Sequence, residues 1–320
     1  MGVTNLEEKF FDPGYRIVDG QKIKCWKTKG HGSETLVEGF ANSCNSVFMD
    51  LGLRMGTDRF YSCLKKFGIG QKTGIDYFGE SAGIMMYQSV VKNVDLARIS
   101  FGQAIASTPI QMITSICGIT KGTLYVPRLI KAVNSENISK TFESIAVRNT
   151  ITKDVKEKMN YLLESVLSVE GECTFINGYH IGGKTGTAQK YEDGKVAQGK
   201  YVSSFVGTYP ASDPKYVLLL CVNEPSNGIY YGGQVAKPYG KEIFTKLFNY
   251  FSIPMDEPNM QDNTKKVAVP NLIGLSVADA CAILRSIKLD YYFDEDLTKV
   301  MSQAVPEGEL VEVGTIIVLG

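Results

Sequence analysis

Residues 180–190 read "HIGGKTGTAQK". Two glycines lead into Lys184, and Thr185-Gly186-Thr187-Ala188 follows. Around this stretch the apolar period is that of strands. "TFINGYHIGGKTGTAQ" (174–189), "YVSSFVGTYP" (201–210) and "KYVLLLCVNEP" (215–225) are three successive strand patterns separated by turn residues. A helical pattern, "GGQVAKPYGKEIFTKLFNYF" (232–251), closes the run.

Upstream the period is helical. "TLVEGFANSCNSVFMDLGLRMG" (35–56) predicts one helix with Phe40, Val47, Phe48 and Leu51 on one face and Gly56 as its stop. A second helix runs from Thr57 to about Phe67. "VDLARISFGQ" (94–103) continues the helical character. So does "TPIQMITSICGITKG" (108–122), which Thr108-Pro109 starts. "TKDVKEKMNYLLESVLSVEG" (152–171) is amphipathic. Helices beside antiparallel strands predict an α+β fold, with helices packed on an antiparallel sheet.

Residues 252–266, "SIPMDEPNMQDNTKK", are polar and hold two prolines, which reads as a linker. Beyond it, 267–320 predicts a small β-α-β-β domain of about 55 residues, near the lower limit for independent folding. Its helix starts at Ser276, an N-cap with Asp279 three residues on. Ala280, Ile283, Leu284 and Ile287 form the buried stripe, and "DYYFDED" and "GTIIVLG" are its later strands.

Bulk chemistry narrows the function classes. Of 320 residues, 44% are hydrophobic, enough for a sizeable core. Lys+Arg and Asp+Glu are both 34, so no basic excess points to nucleic acid. Cysteines stand at 25, 44, 63, 117, 173, 221 and 281, without a Cys-x-x-Cys pair, and only His31 and His180 are available. That spacing argues against a zinc site and against a disulfide framework, so no metal or cofactor is expected.

Lys184-Thr185-Gly186 is weak by itself, because Lys72-Thr73-Gly74 repeats the tripeptide in a Gly-bounded loop. Only the 184–186 copy lies in strand context. There Gly186 lets a ligand backbone approach, and Lys184 with the hydroxyls of Thr185 and Thr187 could hold a carboxylate. Ser43-Cys44-Asn45, read alone, is a helix cap.

Taken in order, Ser43-x-Asn45 and Lys184-Thr185-Gly186-Thr187-Ala188 resemble two of the signatures of penicillin-binding proteins. "KCWKTKGHG", "SFGQAIASTPIQM", "SSFVGTYPASDPKYVLLL" and "YYGGQVAKP" resemble the transpeptidase domain of class B penicillin-binding proteins of Gram-positive bacteria. "VPNLIGLSVADACAILRSIKL" resembles a PASTA domain, and the combination is similar to the sporulation-specific (stage V, type D) members. The resemblance implies a partial transpeptidase domain over 1–251 and a PASTA domain over 267–320. It implies acyl transfer from D-Ala-D-Ala stem peptides through a serine acyl-enzyme. Lys184, Thr185, Gly186 and Thr187 would bind the donor's carboxylate or that of a β-lactam, while Ser43 and Asn45 relay protons and orient the amide. Peptidoglycan stem peptides, β-lactams and other cell-wall, division or sporulation proteins are the implied partners, with no nucleic acid. The extracytoplasmic face of the membrane is the implied location, although no signal or membrane span is present in the chain.

The family's Ser-x-x-Lys should precede Ser-x-Asn, and the residues before Ser43 do not contain it. Ser62-Cys63-Leu64-Lys65 matches the pattern but falls after Ser43 and reads as accidental. The expectation is a chain truncated within the domain and inactive as such. The alternative is a non-catalytic cell-wall or muropeptide binder. Cys44 and Cys63 are a candidate redox pair. Two straight antiparallel helices turning near Gly56 would offset them by roughly 7–8 Å, so a bridge requires a segment around Cys44 that is not straight helix or a steep crossing, and two buried free thiols are favoured.

Overall fold

The computed structural model describes residues 2–167, 175–192, 195–226, 228–256, 266–293 and 297–320. The chain divides into two compact units, Met1–Asp256 and Glu257–Gly320.

The first unit opens with two strand pairs that period alone did not reveal. β1 (Lys9–Asp12) pairs antiparallel with β4 (Gly32–Thr35), and β2 (Tyr15–Val18) with β3 (Gln21–Lys24). The β2–β3 turn is Asp19-Gly20, both at positive φ (46° and 79°), as a two-residue hairpin of primed type requires.

The expected single helix over 35–56 is two. α1 (Leu36–Ala41) is started by a capping box between Thr35 and Glu38, and α2 (Asn45–Lys66) follows after a three-residue break. The break is a Schellman turn. Ser43 N–H bonds to Phe40 O at 3.2 Å, and Cys44 N–H bonds to Gly39 O at 2.9 Å. The left-handed position belongs to Ser43, with φ 52°. Glycine is the usual occupant, because a Cβ in that conformation costs about 1 kcal/mol or more. Gly56 (φ 73°, ψ 160°) is non-helical and divides α2 into two helical halves across a kink, where the sequence placed the stop of one helix and the start of the next.

Next come α3 (Asn93–Ser100) and α4 (Pro109–Lys121). α4 is delimited by a Thr108–Gln111 capping box, Pro109 at its first position and left-handed Gly122 (φ 77°) at its end. β5 (Thr123–Tyr125) pairs with β8 (Ala146–Asn149), and β6 (Ala132–Asn134) with β7 (Ser139–Thr141). α5 (Lys153–Ser165) leads to the central sheet.

That sheet is antiparallel, in the order β11-β10-β9: β9 (Gly182–Glu192), β10 (Lys195–Tyr209) and β11 (Tyr216–Asn223). β9, which carries Lys184–Thr187, is an edge strand. α6 (Gly232–Tyr250) covers one face and buries Ala236, Phe244 and Phe248 with Phe205 and Tyr209. The fit is reciprocal. A Cβ on Gly240 of the helix would stand 2.3 Å from the Phe205 ring, and one on Gly207 of β10 would stand 2.3 Å from the Phe244 ring. Each phenyl sits where the other element has no side chain. Each is almost fully buried, contributing about 1.5–3 kcal/mol.

The second unit has one more strand than β-α-β-β. β12 (Lys266–Ala268) pairs antiparallel with β14 (Leu310–Glu312), and β13 (Asp290–Tyr292) pairs parallel with β15 (Ile316–Val318). β14 is three residues between Gly308 and Gly314, too short to show a period of its own. α7 (Val277–Ser286) is capped by the Ser276 side chain, and Ala280 and Leu284 are fully buried. Most of the sequence read as linker, 257–265, and Cys173 lie outside the described residues.

The Ser43 turn gives a stability test. Ser43→Gly and Ser43→Ala both delete the hydroxyl, but only alanine keeps a Cβ in the left-handed conformation. By urea unfolding the glycine variant should be the more stable of the two by about 1 kcal/mol. Equal stabilities would mean that the turn carries no such cost.

Candidate active site

Lys184 lies on the open edge of the sheet, and Ser43 lies at the end of α1. The structure joins them: Lys184 Nζ donates a short hydrogen bond to Ser43 Oγ, and a longer one, 3.4 Å, to Thr185 O. The two residues are 141 positions apart in sequence. Burial disfavours the charged ammonium and lowers the Lys184 pKa from 10.5 to about 8. A lysine so placed can lose its proton at mildly alkaline pH, which a general base or acid requires.

Alternation along β9 sends Lys184 and Gly186 to one face, and Thr185 and Thr187 to the other. Thr187 Oγ1 accepts from Gly232 N–H (2.9 Å) at the start of α6 and keeps its own O–H available. Gly186 is constrained from within as well. A Cβ there would stand 2.6 Å from Ser204 Oγ, and its carbonyl meets the bare α-carbon of Gly232, where a Cβ would lie 2.4 Å away. Asn45 is the first residue of α2, and its amide donates to Lys24 O at 3.4 Å. Lys72-Thr73-Gly74 is a loop whose Thr73 and Gly74 N–H groups hold the Glu80 carboxylate, so the two copies of the tripeptide do different work.

Aromatic residues that the sequence patterns did not single out stand nearby. Tyr201 and Tyr230 stack at 4.0 Å, and Trp26 meets Tyr231 at 6.4 Å edge-on. Trp26 Nε1 donates to Asn42 O (3.0 Å), which ties this row to the Ser43 turn.

The candidate pair Cys44–Cys63 is not what the structure brings together. Cys63 lies beyond the Gly56 kink of α2. Cys44, at the N-cap of α2, makes no capping bond with its side chain. It meets Cys25, which follows β3. Around them stand Asp12, at the end of β1, and His31, just before β4. Asp12, Cys25, His31 and Cys44 are the one group among the described residues whose donor atoms converge closely enough to hold a metal ion, all within 4.8 Å of one another. The spacing argument against a metal site fails here, because folding supplies what sequence proximity does not. The available signals were turns: Asp12-Pro13-Gly14 and Asp19-Gly20 fold the segments back on each other.

Asp12 Oδ1 accepts from Gly14 N–H (2.8 Å) and from Ser46 Oγ (2.6 Å). Oδ2 bonds to His31 Nδ1 (2.8 Å) and accepts from His31 N–H (3.1 Å). Burial opposes ionisation of Asp12, but the hydrogen bonds from Ser46, His31 and Gly14 outweigh it and hold its pKa far below the usual range. The bond between the two thiols sets them apart. Cys25 is lowered to about 6, and Cys44 is pushed above the ordinary thiol range.

Ser62 and Lys65 lie exposed on the C-terminal half of α2. Ser89–Lys92 and Ser212–Lys215 match the same spacing, so the pattern recurs by chance in this chain.

An antiparallel sheet whose open edge carries Lys-Thr-Gly-Thr, faced by a Ser-x-Asn turn in a helical layer, brings together two of the three signature motifs of penicillin-binding proteins. Comparison with known proteins agrees. Residues 1–245 match the penicillin binding protein transpeptidase domain family, and residues 267–320 match the PASTA domain. The chain belongs to the penicillin-binding protein transpeptidase family. It is 35% identical to stage V sporulation protein D of Bacillus subtilis over 98% of its own length and 50% of that protein. It is 28% identical to the probable peptidoglycan D,D-transpeptidase PenA of Neisseria gonorrhoeae over 68% of its length and 36% of that protein's. Penicillin-binding protein 3 of Mycobacterium tuberculosis, solved with aztreonam, superposes with a TM-score of 0.69 at 26% identity over 80% of this chain and 60% of that one. The chain thus spans half the length of the Bacillus protein. Among the described residues no helix is long and apolar enough to cross a membrane.

The Lys184 shift has a signed consequence. Unfolded, the lysine keeps its proton up to its ordinary 10.5; folded, it releases it near about 8. Between those values the unfolded state binds more protons, so stability rises with pH across this window. Urea unfolding at stepped pH should show that rise in the wild-type chain and a flatter profile in Lys184→Met. Parallel profiles would place the lysine in water.

Proposed function

We propose that the Ser43–Lys184 cleft belongs to a peptidoglycan D,D-transpeptidase that takes acyl groups from D-Ala-D-Ala stem peptides at the extracytoplasmic face. The observation that carries this reading is the Lys184–Ser43 contact between the edge strand and the helical turn. The donor peptide lies along the open edge of β9 as an added strand. Its terminal carboxylate sits against Lys184, Thr185 and Thr187, and Asn45 orients the scissile amide.

The reaction is a two-step acyl transfer. A serine hydroxyl attacks the amide carbonyl between the two D-alanines and loses its proton to the lysine–serine relay. The terminal D-alanine leaves with a proton, and an ester to the enzyme remains. An amine of a second stem peptide then displaces the serine and forms the cross-link. Ser43 and Lys184 hold and move the proton in both steps. The attacking serine is assigned to none of the Ser-x-x-Lys matches in these 320 residues, which all follow Ser43. The PASTA unit adds a contact to the cell wall.

Fluorescent penicillin followed by denaturing electrophoresis tests the reading. The 320-residue chain should take no boil-resistant label. A longer form carrying a Ser-x-x-Lys ahead of residue 1 should be labelled, and Lys184→Ala or Ser43→Ala should slow that labelling about 10²–10⁴-fold, as loss of a general acid–base group does. Labelling of the short chain, or unaltered labelling of the longer variants, would contradict it.

A further inference from the structure

We infer that Asp12, Cys25, His31 and Cys44 bind one divalent transition-metal ion of the zinc class, and that this ion clamps the turn presenting Ser43. Donor chemistry identifies the ion. Two thiolates, an imidazole and a carboxylate suit zinc, and thiolates disfavour magnesium and calcium. Four protein ligands leave no open position, which is the pattern of a structural rather than a catalytic centre.

Geometry comes next. A tetrahedral zinc site separates its ligand atoms by about 3.3–3.8 Å, given metal–ligand bonds of about 2.0–2.3 Å. Cys25 Sγ already lies 3.7 Å from His31 Nδ1, and all four donors fall within 4.8 Å of one another. The His31 Nδ1–Asp12 Oδ2 pair, at 2.8 Å, opens by about half an ångström to admit the ion.

The shell around these donors is already built. Gly14 N–H and the Ser46 hydroxyl hold Asp12 Oδ1, which leaves Oδ2 as the ligand atom, as outer-shell partners do at metal centres. The His31 ring lies edge-on to Trp26 at 5.4 Å. The two ligand-bearing loops touch backbone to backbone. A Cβ on Gly14 would stand 2.2 Å from Thr28 O, and one on Gly30 would stand 2.3 Å from Asp12 O. All four side chains are sealed from water: Asp12 is 1% exposed, Cys25 2% and Cys44 0%, and the His31 side chain is 4% exposed.

The placement of Cys44 is a further observation beside the convergence of the donors. Cys44 occupies an N-cap without capping, its sulfur turned toward the other three donors. Because Cys44 stands between Ser43 and Asn45, an ion on its sulfur ties the Ser-x-Asn turn to β1, to the residue after β3 and to the loop before β4. Only this consequence for Ser43 rests on the function proposed above; the ion-binding claim does not.

The test uses the full 320-residue chain, reduced, stripped with chelator and titrated with Co²⁺ under anaerobic conditions. The expected result is saturation at one equivalent, with the visible bands of tetrahedral Co²⁺ and a near-ultraviolet thiolate charge-transfer band, both abolished by one equivalent of Zn²⁺. Cys25→Ser and Cys44→Ser should lose the charge-transfer intensity, and Cys63→Ser should keep it. If the first two variants do not fold, alkylation mapping of the wild type substitutes, in dilute denaturant that loosens the apo fold: Zn²⁺ should slow labelling of the buried Cys25 and Cys44 and leave the exposed Cys221 reactive. Unsaturable uptake, a spectrum without thiolate charge transfer, equal alkylation with and without Zn²⁺, or a Cys25–Cys44 disulfide in protein kept reduced would each overturn the inference. None of these readouts depends on transpeptidase activity.

Discussion

A single hydrogen bond, from Lys184 to Ser43, holds the site together, and its requirements reach through the first unit. The lysine must stand on a strand with an open edge, and β9 is one because the sheet order is β11-β10-β9. The serine must project from a turn, so α1 ends at residue 41 and the chain adopts a left-handed conformation that glycine would take more readily. A functional side chain occupies the position where local sterics favour none. Strain of this kind persists only where the surroundings over-determine it. Here they do so through the Schellman bonds to Gly39 and Phe40 and the burial of Cys44 directly behind.

The sheet is fixed in place by exchange of volume rather than by polar contacts. Phe205 fills the space beside Gly240, Phe244 fills the space beside Gly207, and Gly232 lets the start of α6 touch the carbonyl of Gly186. Close packing at these three points sets the height of α6 against the strand and brings Gly232 N–H to Thr187. Energetics and site geometry share the same residues: an enlarged side chain at position 232 would displace the edge strand and carry Lys184 with it.

Much of this architecture was legible in the sequence, and the reasons differ by element. α4 announces itself through Thr108-Pro109 and Gly122, and the three strands through period and turn residues. Ser43 and Lys184 were legible as motifs in order, and the family resemblance placed them on one cleft, where they meet. Illegible was whatever depends on tertiary closure. The Schellman break at 42–44 hides because serine stands where glycine is customary, inside a helical apolar pattern that spans the break. β14 is three residues long and becomes a strand only by pairing with β12. The Asp12–Cys25–His31–Cys44 cluster carries no short spacing, since its members come from a strand end, two loop positions and a helix cap. Cys44 and Cys63 were only a candidate pair, disfavoured by the offset of straight helices on either side of Gly56, and the Cys44 sulfur meets Cys25.

The site exists only if Ser43 and Lys184 act as one unit. A double-mutant cycle on unfolding free energy measures that directly, with Ser43→Ala, Lys184→Met and the combined variant compared with the wild-type chain at pH 7. Direct contact in a partly buried cleft predicts a coupling energy of about 0.5–3 kcal/mol. Additivity within the error of the cycle would mean that the edge strand and the helical turn do not meet, and the site as described would not exist.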